Sequence, residues 1–68
     1  MRTIRIEEPG KNPTLINPRA VTQVQLVEGT VGDFCITIDL VTKEMRSISR
    51  PTRESAEETF NYIEECLV

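Results

Sequence analysis

Chemistry-bearing residues in this 68-residue sequence concentrate near its end, where Glu54, Glu57, Glu58, Glu64 and Glu65 crowd together. Paired carboxylates can move protons or hold a hard cation. No second cluster faces these, so they read as a solvated helix face, with Glu57 and Glu58 suited to the positive end of a helix dipole. Cys35 and Cys66 supply thiols, but the sequence holds no His. A His general base and a Ser–His or Cys–His nucleophile are therefore impossible, and a zinc site would need carboxylates to complete its ligands. Asp33 and Asp39 lie close to Cys35 and disfavour its thiolate. The stretch Gly29-Thr30-Val31-Gly32-Asp33 has the glycines of a phosphate loop without the Gly-Lys-Ser/Thr signature, and it joins two strands where a phosphate loop opens a helix. The expectation is a non-enzyme with no catalytic residue, no metal site and no cofactor.

The basic residues suggest recognition instead. Arg46, Ile48 and Arg50 alternate along the last strand, and an exposed Ile between two arginines at a sheet edge is a candidate partner-binding row. The same arginines can also serve as gatekeepers that block edge pairing and pair with nearby acids. Arg50 and Arg53, around Pro51-Thr52, form a weaker candidate anion site beside the helix start, where Glu57 and Glu58 compete with a phosphate. Arg2, Arg5 and Arg19 make a second basic group. The balance of 8 Lys+Arg against 11 Asp+Glu gives a net charge of -3, which argues against binding nucleic acid through phosphates. Of the aromatics Phe34, Phe60 and Tyr62, two read as core, so stacking platforms for single strands are not expected.

Length sets one domain, residues 1–68. A chain of this size buries only about 60% of the surface it exposes when unfolded, so a partner or self-association is a natural source of further stability. No apolar run approaches the ~20 residues of a membrane helix, and the start Met1-Arg2-Thr3-Ile4 lacks a signal-peptide core. Two reduced thiols fit a cytoplasmic protein.

The elements follow from periodicity. Ile4 and Ile6 alternate with Thr3, Arg5 and Glu7 as a short strand. Glu8 to Pro13 is a loop, Leu15-Ile16 a brief apolar pair, and Asn17-Pro18 an interruption. In Val21 to Glu28, Val24 and Leu26 share one face and Gln23 and Gln25 the other, while Val21 is out of phase, which calls for a bulge or half-turn. Gly29 to Gly32 makes a hairpin. Phe34, Ile36, Ile38 and Leu40 alternate strictly, giving one buried and one wet face. After the Thr42-Lys43 turn, Met45 to Arg50 is a further strand with two possible registers. One sets Leu40 against Met45 and Asp39 against Arg46, with Ile48 outward. A three-residue loop instead buries Ile48 and turns Arg46 inward. The Asp39–Arg46 pair favours the first. Ser55-Ala56-Glu57-Glu58 fits a capping box, and Ala56, Phe60, Ile63 and Leu67 form the apolar stripe of a terminal helix flanked by Thr59 and Cys66. The expected fold is α+β, an antiparallel meander of four to five strands with one C-terminal helix on one face. Cys35 and Cys66 then fall on opposite sides of the sheet, too far apart for a disulfide.

In Leu15-Ile16-Asn17 with Val21 and Val24, then Ile36-Thr37-Ile38, Lys43 and Glu54-Ser55-Ala56-Glu57-Glu58, the order of elements resembles small bacterial proteins of the flagellar FlbD type. The likeness spans roughly residues 14–67. It implies the same α+β arrangement and a bacterial or phage origin, and it brings no catalytic residues. The expected function is a small interaction module, docking on a protein partner or on a copy of itself through the edge strand that carries Arg46, Ile48 and Arg50. The alternative is a nucleic-acid-binding module using Arg46, Arg50 and Arg53.

Overall fold

Asn17-Pro18 turns the chain out of one sheet and into another. In the computed structural model, which describes all of residues 1–68, strand β1 (Ile4–Ile6) pairs antiparallel with β2 (Thr14–Ile16), Ile4 opposite Ile16. Pro18 has no N–H to offer a ladder. The Asn17 Oδ1 accepts from the Arg19 amide at 3.0 Å, which seeds a short 3-10 turn over Pro18–Ala20. Strand β3 (Val21–Glu28) therefore starts afresh, and β4 (Phe34–Leu40) and β5 (Met45–Arg50) complete a second antiparallel sheet in the order β3-β4-β5. Helix α1 (Arg53–Leu67) ends the chain.

The class is α+β with five strands and one C-terminal helix, as expected. The single meander is corrected to a two-stranded and a three-stranded sheet, because β2 does not pair with β3. The bulge expected near Val21 is present: Val21 faces Leu40 and Gln23 faces Asp39, leaving Thr22 as the extra residue. Its hydroxyl donates to the Asp39 carbonyl at 3.2 Å.

One face of the three-stranded sheet carries the core. Leu26, Ile36 and Ile48 form one cross-strand row, and Val24, Ile38 and Arg46 the next. Helix α1 covers this face with Ala56, Ile63 and Cys66 fully buried and Phe60 and Leu67 half-buried. Ile4, Ile6 and Ile16 of the small sheet enter the same core. Each buried Ile contributes about 1.5–3 kcal/mol relative to exposure. The β1–β2 hairpin is latched to the helix by two backbone donors: the Arg5 amide to the Tyr62 hydroxyl at 3.0 Å and the Arg2 amide to the Cys66 carbonyl at 3.0 Å. Cys35 lies on the opposite sheet face from Cys66, and both thiols are free.

The helix starts earlier than the capping-box reading of Ser55. Thr52 is the N-cap, its hydroxyl accepting from the Ser55 amide at 3.2 Å, and the Ser55 hydroxyl returns to the Thr52 carbonyl at 3.1 Å. Ser55 thus holds the third position after Thr52, but its hydroxyl donates to the N-cap carbonyl and does not accept from the N-cap amide as in a capping box.

Candidate interaction edge

The β4–β5 hairpin decides which surface is free. The Leu40 amide bonds the Glu44 carbonyl at 2.9 Å and the Lys43 amide bonds the Leu40 carbonyl at 2.9 Å. Val41-Thr42-Lys43 is therefore a three-residue loop, with Lys43 at φ 70 in the left-handed region, the geometry of a type I turn closed by a bulge. Asp39 faces Met45, Ile38 faces Arg46 and Ile36 faces Ile48. This is the second of the two registers, and it overturns the first. Burial decides it: Ile48 is only 2% exposed. Burying an Ile is worth about 1.5–3 kcal/mol, more than the ~0.2–1 kcal/mol of the Asp39–Arg46 pair it replaces.

Ile48 is accordingly corrected from an exposed contact to a core residue. Arg46 and Arg50 flank it on the inner face of an edge strand, from which long stems can reach outward. Arg46 pairs with Glu44 at 3.3 Å. Arg50 spends its guanidinium inside the fold: Nε donates to the Thr59 hydroxyl at 3.1 Å, and the terminal nitrogens donate to the Ser49 and Glu7 carbonyls, each at 3.2 Å. One side chain thus ties β5 to α1 and to the end of β1.

The outer edge of β5 faces the small hairpin across a cleft. Because Leu40 bonds Glu44, the even-numbered residues of β4 aim their backbone at β5, and Arg46, Ile48 and Arg50 answer them. Alternation then turns Met45, Ser47 and Ser49 toward the outer edge. Arg50 occupies the Ser49 carbonyl, and beyond it a cleft of about 270 Å³ separates Met45–Ile48 from Ile6, Glu8 and Ile16 of the small hairpin. The gatekeeper role describes these arginines better than a contact row.

Arg53, Arg2 and Arg5 are also paired. Arg53 pairs with Glu28 at 3.8 Å and sits over the Phe34 ring, 5.6 Å from its centroid. Phe34 in turn faces Arg50 across the ladder. The Arg50 donors go to protein groups, whereas Arg53 keeps an exposed guanidinium beside the Phe34 ring. Arg2 pairs with Glu65 and Arg5 with Glu7. The helix glutamates lie exposed, and no group of three His, Cys, Asp or Glu side chains is placed to hold a metal ion. In the loop from Gly29 to Asp33 the Gly29 amide bonds the Asp33 carbonyl at 2.8 Å and Gly32 has φ 83, so this is hairpin chemistry. No helix is long and apolar enough to cross a membrane.

Strand β3, like β5, is an outer strand of the three-stranded sheet, and no strand pairs with its far side. Its residues are exposed except for half-buried Val21 and Val24. Leu26 belongs to the inner row of Ile36 and Ile48 yet is 37% exposed, against 0% and 2% for those neighbours. Alternation aims the backbone of Gln23, Gln25 and Val27 at β4, in step with the Gly29–Asp33 bond. The N–H and C=O groups of Val24, Leu26 and Glu28 therefore point outward. From Val21 to Val27 the strand carries no charge and no Pro, two of the devices that usually blunt an edge, and it carries a third, the bulge at Thr22, at its start. The sequence puts Val24 and Leu26 on one strand face without showing that the edge beside them is unpaired. The contrast between a charge-free run from Val21 to Val27 and an arginine-bearing β5 was the available signal. Comparison of the chain with protein-family models, with curated proteins and with solved structures finds no match.

Proposed function

We propose that this protein is a small non-enzymatic interaction module that docks by adding a strand to the open edge of β3. The observation that supports it most is the pairing of outward backbone groups at Val24 and Leu26 with a largely exposed run, Val21 to Val27, that carries no charge. Strand addition draws affinity from main-chain hydrogen bonds and specificity from alternate side chains, and β3 offers both, with Leu26 as the apolar contact. The protein-interaction role expected of Arg46, Ile48 and Arg50 moves to this edge in this reading, and the net charge of -3 supports it over nucleic-acid binding through Arg46, Arg50 and Arg53. A cytoplasmic setting in bacteria or phage belongs to the same proposal, supported by the two free thiols and by the order of elements shared with FlbD-type proteins.

The test is capture from a cell lysate with the wild-type chain and with Leu26→Lys, which places an edge charge on β3. Both proteins are first checked for equal helix and strand content by circular dichroism. A protein retained by the wild type and lost with Leu26→Lys supports the reading. Retention that survives Leu26→Lys but is lost on Arg46→Glu returns the site to β5.

A further inference from the structure

Resting on that reading, we infer that the strand added to β3 is basic: an extended segment of a partner protein whose inward side chains run Lys or Arg, then an aliphatic residue, then Lys or Arg. The edge itself is neutral, and the helix beside it supplies the selection. Arg53 pairs with Glu28 at 3.8 Å, which identifies the helix face that borders β3. Residues three and four apart stack along one helix face, so Glu57, Phe60, Glu64 and Leu67 continue the row that Arg53 begins. Thr59 and Tyr62 hold the other flank, accepting from Arg50 of β5 and from the Arg5 amide of the small hairpin. Phe60 and Leu67 are half-buried against the core. Glu57 and Glu64 are exposed, and neither pairs with a cation.

The charges of the molecule divide along the same line. Arg2, Arg5 and Lys11 lie before β2, Lys43 lies in the β4–β5 turn, and Arg46 and Arg50 lie on β5. Near β3 there remain Arg53, paired with Glu28, and Arg19 in the turn before Val21. An added strand sets its inward side chains beside Val24 and Leu26, below Glu57 and Glu64. An aliphatic residue there covers Leu26, which is 37% exposed. Cationic side chains two residues to either side have stems long enough to lie along apolar surface and bring their heads to the carboxylates. The spacing fits: Glu57 and Glu64 are about 10 Å apart along the helix axis, and the two cationic positions are about 13 Å apart on an extended strand. A second β3 carries no basic residue from Val21 to Glu28 and offers these carboxylates nothing. The β5 edge lacks such a flank, since its cleft is lined by Lys11 and Arg46 together with Glu8.

The experiment titrates the isotope-labelled full chain, followed by amide NMR, with two end-blocked peptides. One is Thr-Thr-Lys-Thr-Leu-Thr-Lys-Thr-Thr, and the other has Glu at both Lys positions. Each is added at about 0.01 M and at about 1 M salt, where charges act over about 30 Å and about 3 Å. The Lys peptide should shift the Val24 and Leu26 amides. At low salt its dissociation constant should lie at least about tenfold below that of the Glu peptide, equivalent to about 1.4 kcal/mol, and at high salt the preference should vanish. Glu57→Gln/Glu64→Gln should abolish the preference and Glu57→Lys/Glu64→Lys should reverse it, and both positions are exposed, so neither change touches the core. Equal affinity of the two peptides for the β3 amides sinks the basic partner and leaves the edge standing. A preference that survives Glu57→Gln/Glu64→Gln also overturns the inference, because its source then lies elsewhere. Shifts confined to Ser47 and Ser49, or no shift with either peptide at millimolar concentration, overturn it too, and the β3 edge then stands or falls on capture through Leu26.

Discussion

The Arg50 guanidinium reaches the Glu7 carbonyl at 3.2 Å, although the two residues lie far apart in the chain. With the Ser49 and Thr59 contacts it fixes the small β1–β2 hairpin against β5 and α1. Through this one side chain β5 is fastened to the hairpin, although no strand pairs with the outer side of β3 or of β5. Replacing Arg50 with Ala removes hydrogen bonds made by a charged donor and leaves their acceptors without it. We expect a loss of about 1–2 kcal/mol in urea unfolding. Arg50→Lys should recover little of it, because an ammonium cannot serve three acceptors held in a planar fork.

Ile48 tests the register directly. Its side chain is buried opposite Ile36, so Ile48→Ala should cost about 2–4 kcal/mol through lost burial and a cavity. Were Ile48 outward between the arginines, the same change would be nearly neutral. A drop of the predicted size in thermal or urea unfolding confirms burial.

The Val41-Thr42-Lys43 loop holds a non-glycine residue at φ 70. A left-handed backbone costs a Lys roughly 1 kcal/mol, which Gly does not pay, though Gly gains freedom in the unfolded chain. Lys43→Gly should therefore stabilise by roughly 0.5 kcal/mol, or at least cost nothing. Gly32 has φ 83 with open space around it, so Gly32→Ala should destabilise by about 1 kcal/mol through backbone strain alone. Opposite signs for these two variants in thermal unfolding would verify the loop geometry.

The helix start separates two capping readings. Thr52→Ala removes the hydroxyl that accepts from the Ser55 amide and should cost about 1 kcal/mol. Glu58→Ala, which would break a box opened by Ser55, should change stability by less than about 0.5 kcal/mol. Equal losses would restore the later start.

Strict alternation in Phe34 to Leu40, the helical stripe from Ala56 to Leu67 and the phase slip at Val21 were all legible, because each is a local pattern that burial enforces over several residues. The strand order was not. Whether β2 pairs with β3 depends on how the Asn17 side chain and Pro18 turn the chain, and the pattern of apolar residues is the same in one sheet or two. The hairpin register escaped for a related reason. An ion pair between Asp39 and Arg46 is visible in the sequence, whereas the burial of Ile48 beside Ile36 exists only once the sheet is assembled. From that error came the outward Ile48 of the contact row, since Ile48 lies buried opposite Ile36.

Amide hydrogen exchange followed by NMR tests the open edge most directly. In dilute solution the Val24 and Leu26 amides should exchange far faster than those of Gln23, Gln25 and Val27, which bond β4. On adding the protein captured through Leu26, Val24 and Leu26 should become protected while Ser47 and Ser49 of β5 stay unchanged. Protection gained at Ser47 and Ser49 with none at Val24 and Leu26 would contradict the account and place the docking edge on β5.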